Sequence, residues 1–147
     1  MTKPQQVYVT YIQTDIDSLW AALTEPDETV NYFFGTKLVS GMKKGDKISF
    51  DMEDGNATIQ GEVLENTPKS KFAYTFRGNK INDDSDQREP HSRVTYELEE
   101  TENAVKFTLI HDEFEDENIT FASVSGGWPI VLSGLKTYLE TGKSLNM

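Results

Sequence analysis

The sequence predicts an α+β fold: a curved antiparallel sheet of about six to seven strands gripping one long C-terminal helix, with two short helices after the first strand. Three observations carry this. Five successive stretches between residues 47 and 111 alternate apolar with polar side chains, the period of a half-buried strand. The C-terminal stretch "SGGWPIVLSGLKTYLETGKSLNM" instead sets Trp128, Val131, Leu132, Leu135, Tyr138 and Leu139 at the spacing of a helix with one face to bury. Between the first strand-like run and the sheet, two short segments carry helix signals.

Taken in order, "QVYVTYI" at residues 6 to 12 is rich in β-branched and aromatic residues and reads as a first strand. Thr14 or Asp15 then caps a short helix whose apolar positions are Ile16, Leu19, Trp20 and Leu23; Trp20 is its structural anchor. A second short helix is expected through "PDETVNYFF", stopped by Gly35. "KISFDME" sets Ile48, Phe50 and Met52 on a dry face, and "ATIQGEVLE" does so with Ala57, Ile59 and Val63. "KFAYTFR" aligns Phe72, Tyr74 and Phe76; "SRVTYELEE" aligns Val94, Tyr96 and Leu98; "AVKFTLIH" aligns Val105, Phe107, Leu109 and His111. The connections "EDGN", "NTPKS" and "ETEN" are short and rich in turn-formers, as hairpins require. Residues 78 to 91, dense in Asp, Asn, Gly and Pro, form the one long loop and are expected to overhang one end of the sheet. Phe121 and Val124 extend the last apolar stripe, so the helix is expected to start near residue 120, with Pro129 marking either a kink or the start of its regular part. A sheet with one apolar face and one amphipathic helix bury each other when the helix lies across the sheet, a helix-grip arrangement.

Composition narrows the function classes. The length of 147 residues fits a single domain, 1–147, and the absence of cysteine excludes a disulfide framework, a thiolate zinc site and a thiol nucleophile. A formal charge of −11 opposes phosphate backbones and anionic lipid surfaces, so nucleic acid is not an expected partner. The N-terminal stretch carries no signal-like pattern and no segment is long and apolar enough to span a bilayer, so no membrane insertion and a cytoplasmic location are expected.

Catalytic motifs are sparse. No Gly-Lys is correctly followed by Ser or Thr for a phosphate loop. "NDDSDQRE" alternates acidic residues like a calcium loop, but Gln87 stands where the sixth-place glycine belongs and Arg93 where the bidentate Glu belongs. His91 and His111 are the only imidazoles and no H-E-x-x-H spacing exists. No metal, no cofactor and no catalytic residue are therefore assigned. His111 falls by alternation on the face toward the helix, where it could meet a ligand or move a proton; the simpler placement is the wet end of its strand, bonded to backbone or water. Asp112, Glu113, Glu115, Asp116 and Glu117 read as a solvated charge run.

Several stretches carry a resemblance: "DIDSLWAALTEPDE" (15–28), "GDKISF" (45–50), "GEVLENTPKSKFAYTF" (61–76), "HSRVTYELEETENAVKFTLIHDEF" (91–114) and "GGWPIVLSGLKTYLETG" (126–142). In this order they resemble the SRPBCC (START-like) superfamily, and within it small bacterial proteins similar to the C-terminal domain of the activator of the heat-shock protein 90 ATPase. The resemblance implies the helix-grip fold and, in many relatives, a cavity for a lipophilic molecule between sheet and helix. The eukaryotic activator has an additional N-terminal domain for which 147 residues leave no room.

The leading expectation is non-catalytic binding of a small hydrophobic or aromatic molecule between the sheet and the C-terminal helix. Aromatic side chains could fill a solid core, but buried tyrosine hydroxyls need partners that a ligand or pocket water supplies, which favours a cavity. The expected lining is Tyr32, Phe33, Phe50, Tyr74, Phe76 and Tyr96, joined by Phe107, His111, Trp128, Leu132 and Leu135. The mouth is expected near the second short helix and the 78–91 loop. The alternatives are a chaperone-associated stress-response protein, with a chaperone as partner, and last a cyclase- or dehydratase-type enzyme, for which the sequence offers only His111 and a few tyrosines.

Overall fold

The computed structural model describes residues 3–78, 90–117 and 119–145. Seven strands form one antiparallel sheet in the order β1-β7-β6-β5-β4-β3-β2. β1 (Gln6–Ile12) pairs with β7 (Val105–Asp112), so the first and last strands meet at one edge. Between them in sequence come β2 (Lys37–Ser40), β3 (Lys47–Asp51), β4 (Ala57–Thr67), β5 (Lys71–Gly78) and β6 (Ser92–Glu100), each antiparallel to its neighbours in the sheet. The predicted alternation is met along β5, β6 and β7: Phe72, Tyr74 and Phe76, Val94, Tyr96 and Leu98, and Val105, Phe107, Leu109 and His111 are all buried on the inner face.

Asp15 caps α1 (Ile16–Thr24), accepting from the Ser18 amide at 2.7 Å and so satisfying one of the free amides at the helix start. The second helix is shorter than expected. α2 (Pro26–Thr29) ends where the buried Thr29 hydroxyl bonds the Thr36 carbonyl and receives the Leu38 amide, each at 3.0 Å, folding the chain back on itself. Tyr32 and Phe33 therefore lie in a turn, which closes with left-handed Phe34 and Gly35 at φ 52° and 72°. β2 was not separately legible: four residues with two apolar side chains are too few to show a period. Met52 does not join the dry face, because a register shift at Phe50/Asp51 ends β3 and the Met52–Asn56 turn leaves it exposed.

Bulges bend the sheet, one at Phe50/Asp51 and one at Val63/Glu65. At Gly61 β4 presses so close to β5 that a Cβ would stand 1.8 Å from the Thr75 carbonyl oxygen, so only glycine fits. α3 (Ile119–Thr141) lies along the inner face and passes through Pro129 without interruption; its regular part begins ten residues before that proline. It buries Trp128, Val131 and Leu135 against the sheet and α1. Polar ties fix its position: the Lys136 ammonium donates to the Tyr11 carbonyl at 2.6 Å, the Gln13 amide to Glu140, and the Tyr138 hydroxyl to Glu28. Among the described residues, no helix is long and apolar enough to cross a membrane.

Candidate functional site

The interior divides along α3. Beneath its C-terminal half the space is solid. Tyr74, Tyr96, Phe107 and Leu135 are at most 3% exposed, and the three rings meet: Tyr74–Tyr96 and Tyr96–Phe107 centroids are 5.6 and 5.5 Å apart. The buried hydroxyls are satisfied within the protein. Tyr74 and Tyr96 share a 2.7 Å hydrogen bond, and Tyr32 donates to the Ala22 carbonyl at 2.7 Å. The inference from tyrosine hydroxyls to a cavity therefore fails: they partner each other and the backbone. Burial holds all three phenols well above their usual range, so they stay protonated.

Beside the N-terminal half of α3 a cleft of about 460 Å³ opens to solvent. The turn after α2 contributes Phe33 and Phe34, the strand ends contribute Thr58, Ile59, Phe76 and Gly78, and α3 contributes the face running from Ile119 to Val131. Its back wall is aromatic and rigid. Phe33 stacks on Phe50 at 4.4 Å and meets Trp128 edge-on at 5.8 Å, and Phe76 lies 6.1 Å from Trp128. Among the described residues lining it, none is ionisable; hydroxyls of Thr58, Thr120 and Ser123 are its polar groups besides the backbone.

Behind this wall lies a buried polar chain. The Trp128 indole N–H, which can only donate, bonds His111 Nδ1 at 2.9 Å. His111 Nδ1 is thereby the acceptor, and the neutral ring carries its proton on Nε2, which donates to Ser92 Oγ at 2.7 Å. Ser92 Oγ donates in turn to the Phe76 carbonyl at 3.3 Å. The predicted wet-end placement of His111 is corrected: the side chain is 0% exposed, flanked by Phe76 and Phe114 at 4.7 and 4.4 Å. Burial lowers its pKa to about 3 against the opposing pull of Asp112. These bonds run opposite to those of a nucleophilic serine, whose hydroxyl must donate to a basic ring nitrogen. The chain orients Trp128 and Phe76 at the back of the cleft.

Of the expected ligand contacts, the structure brings Phe33, Phe76 and Trp128 to the cleft. Phe50 and His111 stand behind them. Tyr32 lines a neighbouring hollow of about 440 Å³. Tyr74, Tyr96, Phe107 and Leu135 belong to the solid core, and Leu132 packs half-buried against it. Sequence reasoning missed Ile119, Ser123, Gly127 and Ile130, which lie on a second face of α3 rather than on the apolar stripe. The glycine pair before Trp128 was the available signal, since two poor helix formers side by side mark a stretch of α3 not shaped for helix stability. Residues 79–89, most of the predicted overhanging loop, lie outside the described residues.

A bent sheet closed on one long helix, with a lateral apolar cleft, defines the helix-grip class. The family model described as Activator of Hsp90 ATPase homolog 1-like protein matches residues 13–140, and the chain belongs to that family. Among solved structures it is similar to ChR145 from Cytophaga hutchinsonii, with 27% identity, TM-score 0.74 and 97% of each chain covered. The Aha1 dimer from Colwellia psychrerythraea is 19% identical with TM-score 0.76, covering 96% of this chain and 99% of that one. DynU16, described as a protein in the dynemicin biosynthetic locus, is 21% identical with TM-score 0.77, covering 95% of this chain and 48% of that one. No curated protein sequence matches the chain.

Proposed function

We propose that this protein is a non-catalytic, cytoplasmic binder of a small neutral hydrophobic or aromatic molecule, held in the cleft between the N-terminal half of α3, the turn after α2 and the ends of β4 and β5. The observation that carries this is the cleft itself: about 460 Å³, within the usual size of ligand sites, walled by rings and aliphatic chains with no ionisable side chain among its described residues. A charged ligand would enter without a counter-charge, which is costly away from water. The Ser123 hydroxyl suits a ligand with a hydroxyl or carbonyl at one edge, while the Thr58 hydroxyl already donates to the Phe50 carbonyl. The place of DynU16 in a biosynthetic locus supports a small-molecule ligand. Titration with naphthol and other neutral aromatics, followed by amide chemical shifts, tests the reading. Saturable shifts grouped at Phe33, Phe76, Trp128 and residues 119–131 are expected; no response to any neutral aromatic overturns it.

The family match supports a second reading, association with the heat-shock ATPase of the same cell. Its test is the rate of that ATPase with and without this protein, and an unchanged rate counts against it. An enzymatic reading ranks last, because the Ser92–His111 pair lies behind the wall with its ring proton already committed to Ser92.

A further inference from the structure

Two hollows share one wall. The cleft and the neighbouring hollow of about 440 Å³ lie along the same side of α3, and Phe34 and Ile130 line both. That side is built from Ser123, Gly127, Ile130 and Gly134, positions that recur every turn along a helix. The turn after α2 crosses it close to both glycines. A Cβ at Gly134 would meet Tyr32 Cβ at 3.4 Å and the Tyr32 carbonyl oxygen at 3.5 Å, and one at Gly127 would touch the Phe34 ring at 3.9 Å. The turn is thus seated on the helix at two points seven residues apart, and the Phe34 ring lies across the helix between the hollows.

Phe34 is an unusual residue for this place. Its φ of 52° is a conformation that bulky side chains rarely adopt, and its side chain is 55% exposed, so core burial does not account for it. Glycine or asparagine would suit the backbone better, and a polar side chain would suit the exposure better. What the aromatic ring does here is line both hollows.

We propose that Phe34 sets the size of the ligand: its ring, laid over Gly127 and Ile130, confines the cleft to a compact neutral molecule, and without it the two hollows join into one groove along α3 that admits an elongated apolar chain. This rests on the binding role assigned to the cleft. In the native protein the ring separates the second hollow, itself open to solvent, from the cleft.

The test compares neutral probes of different shape, naphthol, hexanol and decanol, by amide-shift titration of the native protein, Phe34→Gly and Phe34→Leu. Glycine suits the left-handed backbone and the ring is exposed, so the variant folds; circular dichroism verifies it, and Phe34→Ser is read the same way should it not. In the native protein naphthol binds and decanol gains little over hexanol. In Phe34→Gly decanol gains at least about tenfold over hexanol, since each newly buried methylene adds roughly fourfold, and shifts spread to Gly134 and Leu145. Phe34→Leu keeps a wall and follows the native profile. If naphthol binds but the decanol-to-hexanol ratio is unchanged in Phe34→Gly, the partition is overturned while the cleft stands. If no probe binds any form, the binding role itself is overturned, and the size limit with it.

Discussion

The two halves of α3 rest on different surroundings. From Val131 onward the helix lies on solid core: Val131 and Leu135 are 4% and 1% exposed, and Lys136, Tyr138 and Glu140 tie it to β1 and α2. Before that point Trp128 is the fully buried side chain, while Ile119 and Ile130 are 64% and 36% exposed at the cleft. The local sequence follows the same division. Gly126, Gly127 and Pro129, all poor helix residues, fall in the cleft half, and Leu132, Leu135 and Leu139 fall in the packed half. One element thus carries the fold at one end and the site at the other, so substitutions in the two halves should separate stability from binding.

The largest separation is expected between Leu135→Ala and Ile130→Ala. Truncating Leu135 opens a void in a core that cannot collapse around it, for a loss of about 2–5 kcal/mol in denaturant unfolding. Truncating Ile130 removes a half-wet side chain, for a loss within about 0.5 kcal/mol, and shows instead as weaker naphthol binding. Equal stability losses at the two positions would break the division between the halves.

His111 sits at the seam, and its response to pH sharpens the comparison. Folded, the ring stays neutral down to about pH 3; unfolded, it takes a proton near 6.5. The native value is depressed, so the stabilisation is complete above 6.5 and is lost as pH falls toward 3, where the unfolded chain holds one more proton than the folded one. The loss is up to about 1.4 kcal/mol per pH unit from this group. His111→Gln keeps an acceptor for Trp128 and a donor for Ser92 without titrating. Its unfolding free energy should therefore decline less steeply below 6.5, by about one proton's worth of slope, in parallel denaturation series. Identical slopes would mean that His111 gains its proton without unfolding.

A smaller effect is expected from the Tyr74–Tyr96 pair in the packed half. Tyr74→Phe leaves the Tyr96 hydroxyl alone in a dry core, costing about 1–3 kcal/mol, and Tyr96→Phe does the same in reverse. The double variant removes both polar groups and should lose much less than the sum of the two. Additive losses would show that water reaches the pair and that the core is not sealed there.

The fold was legible because its signals are local and repeated. Period-two alternation in β5, β6 and β7 named the buried apolar inner-face residues and His111 but not Ser92, and of the two expected caps, Thr14 or Asp15, it is Asp15 that starts α1. The site was legible only in part. Alternation says which side chains face inward and nothing about whether the space between them is filled, so Phe76 at the cleft and Tyr74 in solid core look alike in sequence. His111 was misplaced because its partners, Ser92 on β6 and Trp128 on α3, are set by tertiary packing. The hydroxyl argument failed for the same reason: cross-strand neighbours Tyr74 and Tyr96 satisfy each other, which no spacing along the chain reveals.

The gentlest test compares two glycines of α3, Gly126 in the cleft half and Gly134 in the packed half. A Cβ at Gly126 meets nothing within 4 Å, so Gly126→Ala should gain the full helix-propensity difference, about 1 kcal/mol, with the cleft narrowed by no more than a methyl group. At Gly134 the same change places Cβ 3.4 Å from Tyr32 Cβ and 3.5 Å from its carbonyl oxygen. Those distances sit at the near edge of ordinary contact, so the turn carrying Phe34 need not move far, and the gain should be smaller than at Gly126. Thermal unfolding of the two variants checks the order. Gly126→Ala melting several degrees higher, with Gly134→Ala gaining less, would show that Gly134 serves the crossing of the turn while Gly126 only weakens the helix. If both variants gained equally, the turn would not be seated on α3 at Gly134, and the wall between the two hollows would lose one of its two supports.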